Sequence, residues 1–292
     1  MMDIVITFVD GSRAKWQEQY ARKIGGKPSF TRFRDWETLR YLLRGIETNA
    51  PFIRNVYLAV SDMDQVPQWV NRETVTTVTH PQFIPAKLLP TFSSNVIELW
   101  LHKIPGLSEE FIYFNDDVFL LNPCSPEDFF IKGKPRLSPR TRTERVTMFH
   151  QMIYNSTQVA RRILGIPEAP EFLAQRHTVA PMTRASYLYA YKVAGKQIFD
   201  SFTPTRAAKN FNDYLFMDLN YFAGKYHPAR IDFKYFGLDA QNAPAICEHI
   251  ETSRTKTLCI NDGCDPADFE SVKTQILGAF EHRFPSKSKY EI

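Results

Sequence analysis

Two rhythms of apolar and polar positions run along this chain, and together they predict an alternation of strands and helices. Residues 3–9, DIVITFV, are β-branched and nearly continuous, as expected of a strand buried in a parallel sheet. Similar runs at Asn55–Val60, Val75–Thr79 and Phe111–Phe114 predict three more strands, and Thr257–Ile260 predicts a late one. Between them, Leu39, Leu42, Leu43 and Ile46 follow helical spacing. So do Ile97, Leu101 and Ile104, with Asn95, Glu98 and His102 on a different arc, so this helix should pack one side and present polar groups on the other. Helical periodicity returns from Met148 to Leu164, from Arg184, and from Asp213 to Phe222.

Strand and helix alternating at these spacings predicts an α/β fold, a Rossmann-like and mostly parallel sheet flanked by helices. Punctuation by Pro123, Pro126, Pro135 and Pro139 suggests residues 1–123 as the α/β core and 124–147 as a loop or hinge. Residues 148–292 then form a mainly helical portion whose late strand returns to the core. In such sheets ligands bind beyond the carboxyl ends of strands, which directs attention to the residues that follow each strand.

Those residues are acidic. Asp10-Gly11 follows the first strand, Asn115-Asp116-Asp117 the fourth, and Asn261-Asp262-Gly263 the late one. Each is compatible with an ordinary turn, since Asp, Asn and Gly favour turns, or with a ligand site. Glu98 is ambiguous in the same way, because Asn95 and Glu98 have the spacing of a capping box. Asp35 stands where a helix cap is expected, and Arg34, Arg40 and Arg44 could serve phosphate oxygens or a solvated face.

Composition narrows the function classes. A chain of 292 residues with 43% apolar content can bury a sizeable core, and its 23 Phe and 13 Tyr make it rich in aromatics. A formal charge of +4, from 36 basic and 32 acidic residues without a basic block, argues against nucleic acid as a partner. The amino terminus, MMDIVITFVDG, reads as a strand and not as a secretion signal or membrane span. Four irregularly spaced cysteines suit reduced thiols and a cytoplasmic location.

The order and spacing of VDG near the start, RFRDWETLRYLLRGIETNAPFIRNVYL, LPTFSSNVIELWLHKIPGLSEEFIYFNDDVFL and the later CIND resemble the Stealth family of sugar-1-phosphate transferases. The resemblance is dense from Asp3 to Leu120 and thinner from Met148 to Asp265. It implies a fold of the nucleotide-sugar transferase type, with the helical C-terminal region completing the site. It also implies transfer of a hexose 1-phosphate from a nucleotide-diphosphate sugar, such as UDP-GlcNAc, to a hydroxyl of an acceptor saccharide, in surface polysaccharide synthesis.

By that likeness Glu98, Asp117, His177 and Arg206 are the catalytic candidates. Arg206 would clamp phosphoryl oxygens and His177, or else Glu98, would take the acceptor proton. Asp116, Asp117 and Asp262 would hold Mg²⁺ or Mn²⁺. Donor binding would involve Asp10, Gly11, Arg34, Asp35, Arg40 and Asn95. The alternatives are a metal-dependent glycosyltransferase that moves the sugar alone and a non-catalytic carbohydrate-binding member. Peripheral association with the inner face of a membrane and a homo-oligomer are compatible with this reading.

Overall fold

The computed structural model describes residues 2–228 and 232–292. Four strands, β1 (Met2–Thr7), β2 (Ile53–Val60), β3 (Val75–Thr79) and β4 (Glu110–Asn115), run parallel in the spatial order β4-β1-β2-β3. The order reverses between β1 and β4, so the chain leaves these two neighbours in opposite directions and opens a crevice at their carboxyl ends. After β4, Asp116-Asp117 turn directly into β5 (Val118–Leu120), which leaves the main sheet.

Two strands from the distal half complete the site's frame. β6 (Ala180–Thr183) adds antiparallel to the edge of β4, and Pro181 is tolerated there because an edge strand has one side without a ladder. β7 (Phe233–Leu238) and β8 (Thr257–Asp262) pair in parallel, and β8 also pairs antiparallel with β5. β8 therefore carries Cys259 and Asn261 alongside the segment that begins at Asp117.

Each sheet face buries its own core. On β1, Ile4 and Ile6 enter one core and Val5 the other; Leu58 and Ala59 divide the same way on β2. The first core is covered by α2 (Leu39–Asn49), α7 (Ala243–Thr252) and α8 (Phe269–Arg283). The second is covered by α3 (Ser94–Trp100), α4 (Met148–Ile163), α5 (Arg184–Ser201) and α6 (Tyr214–Phe222), leaving α1 (Ala14–Ile24) outside both.

A boundary at residue 123 cuts through the first of these cores: Phe119 packs on Phe280 with ring centroids 4.5 Å apart. The 124–147 segment, expected as a loop or hinge, carries secondary structure of its own. It forms short strands at Phe130–Ile131, Lys134–Leu137 and Arg140–Arg142, with Phe130 and Leu137 buried. Helix α2 crosses β5 so closely that a Cβ at Gly45 would lie 2.6 Å from the Leu120 carbonyl oxygen.

The carboxyl terminus is fastened to α2 by a buried ion pair. Arg44 donates from Nε and Nη2 to the two carboxylate oxygens of Glu291 at 2.8 and 3.0 Å, and from Nη1 to the Phe284 carbonyl at 2.7 Å. Burial alone would raise the Glu291 carboxyl, but the Arg44 hydrogen bonds carry it below the ordinary carboxylate range. A depressed carboxylate stabilises the fold above its unfolded pKa and loses that contribution as pH falls through its folded value. Glu291→Gln should therefore cost about 3 kcal/mol at pH 7, and the difference from the parent should shrink below about pH 4 in chemical denaturation. Gly45→Ala should lower the melting temperature by several degrees whatever the pH, because the clash is with backbone.

Candidate functional site

A cavity of about 780 Å³ lies at the β1–β4 crevice and is lined from both halves of the chain. Glu98, Asp117, His177 and Arg206 all face it, as do Arg34, Asp35, Asn95, Asp116 and Asp262. Asp10, Gly11 and Arg40 do not line it, and each has other work. Asp10 accepts from the Ser12 hydroxyl at 2.6 Å and pairs with Arg13 at 2.8 Å, which closes the turn after β1. Gly11 donates its N–H to the Phe33 carbonyl at 2.7 Å, and a Cβ there would lie 2.6 Å from the Phe33 side chain. Arg40 stacks over Trp69.

The acidic centre is the turn between β4 and β5. His177 Nε2 lies 3.2 Å from Asp117 Oδ2, and Asn261 Nδ2 donates to the same oxygen at 3.4 Å. Burial would raise Asp117, but the neighbouring His177 carries it below the usual carboxylate range. His177 moves the other way: burial opposes its charge, yet the Asp117 carboxylate more than offsets this and raises it. Next door, burial and the Asp117 charge push Asp116 up to about 8.

Among the described residues, Asp117, His177 and Cys259 offer ligand atoms that all lie within 4.8 Å of one another, a group able to hold a metal ion. Burial raises the Cys259 thiol and keeps it protonated, so the oxygen atoms are the better donors for a hard cation. Asp117 Oδ1 is buried and has no hydrogen-bond partner, which leaves a lone pair available for such an ion.

Asp262 does not belong to this ligand set. Its carboxylate accepts Arg34 Nε at 2.7 Å and Nη2 at 2.5 Å, the Trp36 indole N–H at 3.0 Å and the Cys264 N–H at 3.0 Å. Arg34, in turn, anchors this corner: its guanidinium stacks 4.4 Å from the Phe269 ring centroid, and Nη1 has no hydrogen-bond partner among the described residues. Asp35 is not a helix cap either, since Thr38 precedes α2. It accepts from the Glu37 N–H at 2.7 Å, and burial pushes its carboxyl up to about 6.

On α3, Asn95 and Glu98 form no capping box; both lie within the helix and are buried. Asn95 donates to the Phe211 carbonyl at 2.9 Å, tying the 203–212 loop to α3, while Arg206 on that loop donates from Nη2 to Ser94 Oγ at 2.5 Å. His102 is no part of a polar face. It is 1% exposed, with both ring nitrogens unpartnered, packs beside Tyr187 and Tyr191, and is pushed down to about 3 by burial.

Sequence reasoning overlooked Asp213. It lines the cavity, is 7% exposed, and is raised well above the carboxylate range by burial and by the charge of Glu98. Burial beside a second carboxylate favours the protonated form of Asp213. A signal was present. The chain has three Asn-Asp dipeptides, 115–116, 212–213 and 261–262, and all six residues line this cavity.

Residues 32–137 match the family model described as Stealth protein CR2, conserved region 2. The receptor polysaccharide phosphotransferase WefC of Streptococcus oralis is 31% identical, over 100% of this chain and 99% of that protein. The capsular polysaccharide phosphotransferase WcwK of Streptococcus pneumoniae is 30% identical over 100% and 99%. The exopolysaccharide phosphotransferase cps2G of Lactiplantibacillus plantarum is 28% identical over 99% and 96%. Among solved structures, the galactosyltransferase LgtC in complex with donor and acceptor sugar analogs aligns with a TM-score of 0.44 and 12% identity, over 95% of this chain and 96% of that one.

The ion pair gives a direct test in chelator-treated protein. Asp117→Asn removes the charge that raises His177 and leaves the burial that lowers it. The His177 imidazole should then titrate below its ordinary value of about 6.5 in a histidine NMR titration, and an unmoved resonance would show that the carboxylate does not control the ring.

Proposed function

The chain belongs to the Stealth family of polysaccharide phosphotransferases, and on that premise we infer that it transfers a hexose 1-phosphate from a nucleotide-diphosphate sugar to a hydroxyl of a saccharide acceptor. The observation that carries this reading is the convergence of Glu98, Asp117, His177 and Arg206 on one cavity. The attacking atom is the acceptor oxygen and the atom attacked is phosphorus, so the site must stabilise phosphoryl charge and remove one proton. Acids and guanidinium groups in one cavity suit both tasks.

His177 is the base in this reading. Asp117 holds its Nε2, and Nδ1 has no protein partner among the described residues, so Nδ1 can accept the hydroxyl proton while Asp117 stabilises the imidazolium that forms. Glu98 accepts a hydrogen bond from a second acceptor hydroxyl and orients the saccharide. Arg206 places its fork on the phosphoryl oxygens. Asp117 Oδ1 and Asp116 would hold Mg²⁺ or Mn²⁺, which supplies neutralising charge to the diphosphate when bound.

Among the described residues, no helix is long and apolar enough to cross a membrane. UDP-GlcNAc remains a fitting first donor to try, with the acceptor supplied as an oligosaccharide.

Incubating the protein with nucleotide-diphosphate hexoses, an oligosaccharide acceptor and Mg²⁺ should release a nucleoside monophosphate. Release of the diphosphate would overturn phosphoryl transfer in favour of transfer of the sugar alone. Both His177→Asn and Asp117→Asn should lower turnover by about a hundredfold or more while the melting temperature stays near that of the parent. Glu98→Gln should act chiefly on the KM for acceptor.

A further inference from the structure

The helical turn Phe30–Phe33 and the residues after it send two arginines in different directions. Arg34 points inward and is consumed by Asp262, with its side chain 2% exposed. Arg32 lines the cavity, and among the described residues it makes no hydrogen bond to an acid and no ion pair. Arg206 lines the same cavity, and among the described residues its only hydrogen bonds run to the neutral Ser94 hydroxyl. Burial, followed by the nearby Arg206 charge, disfavours the charged form of Arg32.

Two guanidinium groups lining one cavity, neither paired with a carboxylate among the described residues, repel each other, and each sits on a segment that the fold holds in place. The Arg32 turn is pinned by the Gly11 N–H to Phe33 carbonyl bond and by Arg34 on Asp262. The Arg206 loop is pinned by Asn210, which accepts from the Ala207 N–H at 2.7 Å and donates to the Ser201 carbonyl at 2.5 Å. The cavity acids lie elsewhere: Asp116 and Asp117 on the β4–β5 turn, Glu98 and Asp213 on α3 and beside α6, Asp35 hydrogen-bonded within its own loop, and Asp262 on Arg34.

We propose that Arg32 and Arg206 form a two-guanidinium clamp for the diphosphate of the donor, with Arg32 a substrate-binding residue in its own right. The assignment rests on the sugar-phosphate reading for its chemistry. As the acceptor oxygen bonds to the phosphorus that bears the hexose, the bond from that phosphorus to the bridging oxygen breaks. The electron pair stays on the bridging oxygen, the hydroxyl proton passes to the base, and a nucleoside monophosphate departs. The clamp neutralises the negative charge that accumulates on the leaving phosphate and retains that product until release.

Inorganic pyrophosphate and UMP serve as probes in calorimetry at fixed Mg²⁺. Arg32→Ala and Arg206→Ala should each weaken pyrophosphate binding by about tenfold or more, with Arg32→Lys between Arg32→Ala and the parent because it keeps charge and loses the fork. The double variant should bind more strongly than two independent losses allow, since each arginine alone also relieves repulsion. Arg32 is bound to no other residue by an ion pair, so the melting temperature of Arg32→Ala should match or exceed that of the parent. Unaltered pyrophosphate binding by Arg32→Ala would overturn the clamp. The two readings fail separately: a nucleoside diphosphate product would sink phosphoryl transfer and leave the pyrophosphate result standing.

Discussion

The Arg34–Asp262 pair joins residues 228 positions apart in sequence, and the site's geometry depends on it. Its cost is high, because a guanidinium with a 2% exposed side chain has lost most of its hydration. What offsets that loss is two parallel bonds to Asp262, a third to the Cys264 carbonyl, and the face of Phe269 beneath, while Nη1 is buried without a hydrogen-bond partner among the described residues. A lysine could supply the charge but not two parallel bonds and a stacked plane. With this contact made, the loop carrying Arg32 and Asp35 and the end of β8 carrying Asn261 become a single wall.

Two electrostatic groupings line the one cavity. On the strand ends, burial and the adjacent Asp117 charge drive Asp116 upward, an arrangement that favours a proton or a cation. On the loops, Arg32 and Arg206 line the cavity near enough to repel, and neither is paired with an acid among the described residues, an arrangement that favours an anion. Each group is unfavourable alone in the folded chain. In the reading proposed above, a diphosphate with its cation would supply the complement of each grouping.

Much of this architecture is legible in the linear pattern, and the failures have physical causes. β1 and β4 are buried parallel strands with nearly continuous apolar runs, and β2 and β3 are marked by β-branched and apolar residues. β6 does not, because APMT carries a proline and its strand character comes from pairing with β4 at an edge. The capping reading of Asn95 and Glu98 fails because spacing cannot reveal that Ser93 precedes the helix and that the Phe211 carbonyl waits for the Asn95 amide. Asp262 looks like Asp116, an acid after an asparagine at a strand's end. Only the distant Arg34 decides that one is an anchor and leaves the other free. The family likeness named Glu98, Asp117, His177 and Arg206 together, which no local pattern could do, yet it passed over Asp213, visible in sequence only as a third Asn-Asp.

The position of the cavity follows from the chain's path and not from any one motif. Reversal of strand order between β1 and β4 opens a crevice, but a four-stranded parallel unit alone would leave it shallow and wet. The distal half closes it from two sides. β6 extends the sheet past β4 and brings His177, three residues before its start, beside Asp117; β8 docks on β5 and brings Asn261 to the same carboxylate. Since β5 starts at the residue after Asp117, that one side chain sits where the main sheet ends and the second sheet begins. A carboxylate at this junction has its orientation fixed by two sheets, and one of its oxygens is taken by His177 and Asn261 while the other stays open. It is the topology that holds one oxygen and leaves the other open, which suits the cation-binding role proposed for Asp117.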